Sequence, residues 1–106
     1  MASKSSTSDS LFTLSQLCHL LSDKNRLRIV LILAEGEKDV SSLCKELHLA
    51  QPTVSHHLGL LRMNRLIVPK RQGKRVIYTL DPTAGKVSGG KIKFNTTPYS
   101  VVIEGI

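Results

Sequence analysis

Two short amphipathic segments, residues 40–47 and residues 51–62, constrain the fold of this chain more than any other feature. In each segment the apolar side chains recur with the 3.6-residue period of one helix face. These apolar positions are Val40, Leu43, Cys44 and Leu47 in the first segment and Val54, Leu58 and Leu61 in the second. Asp39 precedes the first segment as a candidate N-cap, and Pro52 suits the first helical position of the second. Because only a short break separates the segments, the pattern predicts a helix-turn-helix.

Polar side chains at the front of the second segment are the candidates for reading DNA bases. The apolar stripe leaves four of them directed largely away from the core. They are Gln51, Thr53, His56 and His57. Short donors and acceptors at the start of a second helix are what recognition of base edges in a major groove requires. We expect His56 to contact DNA, and His57 to be partly buried or to contact the DNA backbone.

The chain is strongly basic, and its positive charge is concentrated on the predicted helix-turn-helix and the residues after it. The formal net charge is +7 for 106 residues. No acidic residue occurs between Glu46 and Asp81, whereas six cations do. They are Arg62, Arg65, Lys70, Arg71, Lys74 and Arg75. A basic balance suggests a nucleic acid or an anionic membrane surface as partner. The position of the acid-free gap favours nucleic acid, and it argues against a merely solvated face.

Two β-rich runs follow the second helix, and they predict a β-hairpin over about residues 66–80. A Gly-containing connection, residues 72–74, separates the runs. Pro69 indicates an edge strand, where a missing N–H is tolerated. A hairpin with cations at its tip, directly after a recognition helix, is typical of a wing that grips the sugar-phosphate backbone or a minor groove. The side chains expected to contact the DNA backbone, from the wing and from other parts of the protein, are Arg26, Arg62, Lys70, Arg71, Gln72, Lys74 and Arg75.

The segments before the helix-turn-helix predict a disordered tail and a first helix. Residues 1–10 are rich in Ser and Thr and carry little to bury, so we expect disorder there. Residues 11–21 have helical apolar spacing on more than one side. A helix this apolar in a small domain is expected to pack outside its own core, and dimerisation is the simplest way to cover it.

A second helix is expected from Lys24 to about Glu35, with Asp23 at its start and Gly36 at its end. Its wide apolar face makes it the central helix. Two arginines, Arg26 and Arg28, lie near its N-terminal end. They are either solvated surface residues or phosphate contacts, with equal weight on both interpretations.

The last 25 residues predict a glycine linker and a β-rich tail. Residues 82–90 carry three glycines and are expected to form a linker. Residues 91–95 and 99–104 alternate as strands do and predict a second β-hairpin. The predicted organisation is therefore a tail (1–10), a winged helix-turn-helix domain (11–81), and a linker with a β-rich end (82–106). The fold class is mainly α with a small β component.

The chain resembles the ArsR/SmtB family of winged-helix repressors over about residues 14–81. The resemblance rests on residues 20–29 (LLSDKNRLRI), 51–58 (QPTVSHHL) and 70–78 (KRQGKRVIY), with Lys24 where the family usually has Pro. It implies a homodimer that binds an operator and releases it when an effector binds. It also implies that the wing contacts the DNA backbone. The side chains implied to face the groove are Gln51, Thr53, Ser55 and His56.

The two usual metal sites of that family look absent from this chain. In the family, the thiolate site begins in a cysteine-containing run at the start of the first helix of the motif. The corresponding residues here, 37–44, keep only the last cysteine of that run, Cys44. The other site lies on a C-terminal helix after the wing, which the glycine linker and β-rich tail replace. Because that helix normally forms half of the dimer interface, the dimer is expected to be built differently, for example by the tail pairing across subunits.

Cys18 and Cys44 could form a thiol switch, but both lie on apolar stripes, so core packing is the favoured interpretation. A histidine metal site is disfavoured, since neighbours such as His56 and His57 diverge by about 100° on a helix. No metal or other cofactor is therefore expected.

The sequence therefore predicts a homodimeric, sequence-specific DNA-binding transcriptional regulator, most simply a repressor, with double-stranded DNA and a second copy as partners. The alternative is a winged-helix protein-interaction module that does not bind DNA. The sequence offers no nucleophile paired with a base, so nothing in it indicates an enzyme. No apolar run reaches the roughly 18 residues of a membrane span. The Ser-rich start is not a secretory signal and two cysteines are few, so a cytoplasmic setting is expected.

Overall fold

The computed structural model describes residues 2–105 as four helices and six strands. The helices are α1 (Ala2–Leu21), α2 (Lys24–Glu35), α3 (Val40–Leu47) and α4 (Gln51–Met63). The strands are β1 (Lys38–Asp39), β2 (Ile67–Gln72), β3 (Arg75–Leu80), β4 (Gly85–Ser88), β5 (Lys91–Thr96) and β6 (Tyr99–Glu104). The predicted helix-turn-helix is α3 and α4, and the predicted wing is the hairpin of β2 and β3. The winged helix-turn-helix fold class is confirmed.

Aspartate side chains begin two of the helices, as the sequence predicts. Asp23 Oδ1 accepts from the backbone N–H groups of Asn25 and Arg26 at 2.9 and 3.0 Å. Asp39 Oδ1 accepts from the backbone N–H of Ser42 at 2.8 Å. These three bonds satisfy first-turn amides that have no partner within the helix. The recognition helix α4 differs, because its N-cap residue, Ala50, has no side chain that can do this.

The hydrophobic core joins all four helices to both sheets. Its most deeply buried side chains are Ile29 and Val30 of α2, Leu43 of α3, Val54, Leu58 and Leu61 of α4, Ile67 of β2 and Phe94 of β5. The C-terminal strands therefore contribute to the same core as the helices. This packing holds the helix-turn-helix and the wing on a common support.

The strands form two separate antiparallel sheets of three strands each. The wing sheet has the order β1-β3-β2, and the tail sheet has the order β4-β5-β6. In the wing sheet Asp39 lies opposite Ile77, and Gln72 lies opposite Arg75 next to the turn at Gly73. In the tail sheet Gly85 lies opposite Phe94.

The C-terminal hairpin is confirmed as β5 and β6, but the expected linker at residues 82–90 is wrong in part. Residues 85–88 form β4, which pairs with β5. Gly89 and Gly90 have φ values of 52° and 78°, the left-handed conformation that a tight two-residue hairpin turn requires. A Cβ at Gly85 would lie 3.0 Å from the Phe94 ring, so this glycine permits close packing. The glycines thus serve a hairpin and a close contact instead of a flexible linker.

The first helix also begins earlier than the sequence predicts. Residues 2–10 lie within α1, whereas disorder is expected for residues 1–10; Met1 lies outside the described residues. Neither proline nor glycine occurs between residues 2 and 21, so no residue there breaks a helix that the apolar segment supports. The division of the chain into domains stays a prediction.

Candidate nucleic-acid interface

The outer face of α4 carries the polar residues that the sequence assigns to base recognition. Gln51, Thr53, Ser55 and His56 are exposed, while Val54 on the same turn is fully buried. The helix is thus held by its apolar stripe, and its polar front is accessible to a groove of DNA. Their contact with bases stays a prediction.

His57 is buried, which agrees with the partial burial expected for it and not with an outward position on the recognition face. Its side chain is only 8% exposed, because positions 54, 57, 58 and 61 follow the helical spacing of a single buried face. That spacing was the signal in the sequence that could have placed it. The Nη1 atom of Arg26 lies 3.5 Å from His57 Nδ1. If that contact is a hydrogen bond, the guanidinium donates and Nδ1 accepts, with the ring proton on Nε2.

Arg26 and Arg28 are both engaged within the chain, although the sequence offers them as phosphate contacts. Arg26 is half-buried and donates from Nε to the carbonyl of Leu20 at 2.9 Å. Arg28 donates from Nη2 to the carbonyl of Glu46 at 3.1 Å. Glu46 lies in the last turn of α3, where a cation is favourable to the helix dipole. These arginines link α2 to α1 and to α3.

The side chains of the wing become more exposed toward its tip. Along β2, Ile67 is buried, Val68 and Pro69 are half-buried, and residues 70–72 are exposed. Among the described residues, the side chains of Lys70, Arg71 and Lys74 form no ion pair with a carboxylate. Arg62, at the end of α4, is also exposed. The tip is therefore a cluster of solvated cations beside the polar front of α4.

Arg75 differs from the other wing cations because it is paired. Its Nε and Nη2 atoms lie 3.0 and 2.9 Å from Asp39 Oδ2. The hydrogen bonds from Ser42, and then those from Arg75, lower the pKa of Asp39 to about 2. The carboxylate is therefore ionised throughout the neutral range. The sequence places Arg75 with the DNA contacts, and the structure brings it to an aspartate 36 residues away.

A cleft of about 470 Å³ separates the start of α3 from the wing. Its lining residues are Asp39, Val40, Ser41, Cys44, Gln51, Lys74, Arg75 and Val76. Cys44 is half-buried there and packs against the core, as expected. Cys18 is exposed, so its expected place in the core is wrong. The buried Leu17 and Leu20 set the inner face of α1, and position 18 projects away from it.

The described residues, 2–105, hold neither a membrane-spanning helix nor a cluster of metal ligands. No helix there has the length and apolar character needed to cross a membrane. No three side chains of His, Cys, Asp or Glu converge within residues 2–105 as a metal site requires.

Comparison with known proteins gives a consistent set of relatives. A family model described as "Bacterial regulatory protein, arsR family" matches residues 23–67, which contain α2, α3 and α4. The arsenical resistance operon repressor of Escherichia coli is 48% identical over 68 residues, covering 63% of this chain and 58% of that protein.

Solved structures agree with this comparison. Reduced HlyU from Vibrio cholerae superposes with a TM-score of 0.68 at 28% identity, covering 71% of this chain and 79% of that one. The homodimeric winged helix-turn-helix DNA-binding domain from Mycobacterium bovis superposes with a TM-score of 0.62 at 27% identity, covering 67% and 66%. The chain spans between 55% and 59% of the length of three curated relatives that it matches.

Proposed function

Since the chain belongs to the ArsR family of bacterial regulatory proteins, we propose that it is a sequence-specific DNA-binding transcriptional repressor. One observation carries the proposal: the exposed polar front of α4 lies next to the wing tip, where Lys70, Arg71 and Lys74 have no carboxylate partner among the described residues. A groove-reading helix and a backbone-gripping hairpin are the two parts that such binding needs. A regulator of this kind acts in the bacterial cytoplasm.

The proposed division of labour follows the chemistry of the exposed side chains. Gln51 and Thr53 offer a donor and an acceptor to base edges, and His56 extends the same face by one turn. Lys70, Arg71 and Lys74 neutralise phosphates and so position the helix without reading sequence. His57 and Arg26 are left out of this set, because their side chains are used inside the protein.

The test of DNA recognition is a binding titration against the promoter region of the protein's own gene. Fluorescence anisotropy should show tighter binding to this duplex than to a scrambled duplex of equal length. Replacing Gln51 or Thr53 by alanine should cost about 1–3 kcal/mol of that discrimination. Lys86→Ala, an exposed cation in the tail sheet, is the control and should leave it unchanged. Equal affinity for both duplexes contradicts sequence-specific binding, and absence of binding to either favours the protein-interaction alternative.

We also propose that the repressor is a homodimer formed through α1. Leu11 and Phe12, consecutive on this helix, are 50% and 66% exposed, so their apolar side chains are available to a second copy. A dimer would place two copies of α4 about one turn of DNA apart. The related domain from Mycobacterium bovis is homodimeric. The tail sheet, in contrast, buries Ile92 and Phe94 in the core of its own chain.

Analytical ultracentrifugation tests the dimer. Phe12→Asp should give a folded monomer with weaker operator binding, because the residue is exposed within one copy and covered only between copies. Val102→Asp, at a 50% exposed position on the outer face of β6, is the matched control and should leave the mass unchanged. A dimer that survives Phe12→Asp would locate the interface elsewhere.

Release of DNA by an effector completes the proposal, with the cysteines as candidate sensors. Cys18 is exposed, and Cys44 lines the cleft between α3 and the wing. Oxidation with peroxide should weaken operator binding, and a reductant should restore it. Comparing Cys18→Ser with Cys44→Ser identifies the responsive thiol. Unchanged binding after oxidation of the unmodified protein excludes thiol sensing and leaves release to another kind of effector.

A further inference from the structure

A single carboxylate, that of Asp39, joins the wing to the helix-turn-helix. Its Oδ1 atom accepts from the Ser42 N–H at 2.8 Å and so begins α3. Its Oδ2 atom accepts a hydrogen bond from Arg75 Nε at 3.0 Å and lies 2.9 Å from Arg75 Nη2. Its backbone pairs with Ile77 in the ladder between β1 and β3. One residue therefore makes contact with a helix start, a strand and the wing tip.

Arg75 lies close to the turn of the wing, so its ion pair with Asp39 can restrain the tip of the hairpin. It is the first residue of β3 and lies opposite Gln72, so only Gly73 and Lys74 lie between them at the turn. The outer half of β2, residues 70–72, is exposed. The ion pair is thus a lateral restraint near the tip. The Asp39 side chain is 17% exposed, which limits the competition of water for its oxygens.

We propose that Arg75 is a positioning residue that fixes the angle of the wing relative to α3 and α4, and that it is not a phosphate contact. The proposal rests on the function proposed above, and it separates Arg75 from Arg71 and Lys74. Two of its guanidinium nitrogens are already directed at Asp39. Contact with a phosphate through these nitrogens would require the ion pair with Asp39 to break.

Replacing Asp39 by asparagine distinguishes positioning from phosphate contact by the sign of its effect. Asparagine is as good an N-cap as aspartate, so α3 keeps its start, while the ion pair is lost. The change also makes the protein more positive by one charge. If Arg75 positions the wing, Asp39→Asn should weaken promoter binding about tenfold, a typical coupling for contacting residues, despite the added positive charge. If Arg75 binds phosphate in competition with Asp39, the same change should tighten binding.

The salt dependence of binding gives a second criterion. Arg75→Gln should weaken binding about as much as Asp39→Asn, and the double variant should be no weaker than either single variant. In all three the slope of log K against log salt should stay that of the unmodified protein. Arg71→Gln is the matched control on the same hairpin and should lower the slope by about one. A lower slope in Arg75→Gln would overturn the proposal.

Amide hydrogen exchange in the absence of DNA tests the restraint independently of the proposed function. Asp39→Asn should speed exchange at residues 70–76, while exchange in the tail sheet stays unchanged. Unchanged exchange in the wing would refute the positioning role, whatever the protein binds. Faster wing exchange in a protein that binds neither promoter nor scrambled duplex would leave the ion pair as a wing restraint and refute the DNA-binding function and the role of Arg75 in it.

Discussion

The wing sheet and the tail sheet are both antiparallel and three-stranded, yet burial follows different directions in them. Along β2 burial decreases from one end of the strand to the other, from the buried Ile67 to the exposed Gln72. Along β5 it alternates from residue to residue, so that Ile92 and Phe94 are buried and Lys91 and Lys93 are exposed. The first pattern describes a hairpin that projects from the core, and the second a sheet that lies flat on it.

This difference separates the parts of the protein that bind from the parts that support. The outer end of a projecting hairpin is exposed, so its tip can carry Lys70, Arg71 and Lys74 for an external anion. A sheet lying on the core has one face for packing and one for solvent. Basic residues occur in both sheets, but on this basis we expect only those of the wing to contact DNA.

The largest expected effect is on stability, from the buried face of the tail sheet. Phe94→Ala should lower the free energy of unfolding by about 3–5 kcal/mol, because a fully buried ring is lost and a cavity remains. Urea denaturation measures this. Val102→Ala, at an exposed position in the same sheet, should change it by less than about 0.5 kcal/mol. Similar losses in both variants would contradict the flat packing of the tail sheet.

The next effect is on binding, from the wing tip. The double variant Arg71→Ala, Lys74→Ala should reduce the slope of log K against log salt by about two, since each phosphate contact on B-DNA contributes roughly 0.9. Its stability should stay within about 0.5 kcal/mol of the unmodified protein, because both side chains are exposed. Binding that does not depend on salt would show that the tip does not contact phosphates.

A third, smaller effect concerns pH and the anchor of the wing sheet. The pKa of Asp39 is lowered to about 2 from its ordinary value of 3.8. The stabilisation by the charged carboxylate is therefore complete above pH 3.8 and is lost as the pH falls through about 2. Asp39→Asn lacks this loss. Asp23 and Asp81 also have lowered pKa values, so the difference between the two proteins isolates Asp39.

Urea denaturation of both proteins at several pH values between 5 and 2 is the measurement. The gap in stability should be constant near pH 5 and should narrow toward pH 2. A gap that stays constant to the lowest pH would show that the carboxylate gains nothing from its contacts with Ser42 and Arg75.

The smallest expected effect comes from the outer face of the tail sheet. Lys86 and Lys93 lie directly opposite each other on β4 and β5, and like charges in such pairs are unfavourable. Lys93→Glu should raise the free energy of unfolding by about 0.2–1 kcal/mol and leave the salt slope of DNA binding unchanged. A reduced salt slope would mean that the tail sheet also contacts DNA, and the separation of roles between the sheets would be wrong.

Sequence patterns predicted those helices and strands that are specified by residues only a few positions apart. The apolar periods of α3 and α4, the caps Asp23 and Asp39, and the alternation of β5 and β6 are all of this kind. They were sufficient for the helix-turn-helix, the wing and the C-terminal hairpin.

Features that depend on distant residues were not predicted. The segment of β4 has Val87 as its only large apolar residue, and it becomes a strand because β5 offers it a ladder. The pairing of Arg75 with Asp39 and the inward use of Arg26 arise from contacts across the fold. The burial of His57 is different, because partial burial was one of the two predictions for this residue and its spacing from Val54 and Leu61 supports that one.

The contact between Gly85 and Phe94 has a consequence for how the tail sheet finds its alignment. The ring lies 3.0 Å from where a Cβ at position 85 would be, so any larger residue there would force the Phe94 ring to move. If β4 shifted by two residues, keeping the same side chains inward, Val87 or Thr83 would meet the ring instead. A shift by one would turn Lys86 toward the core. Shifts by one or two residues thus meet a polar or steric penalty, and the small residue at position 85 favours the native alignment of the tail sheet.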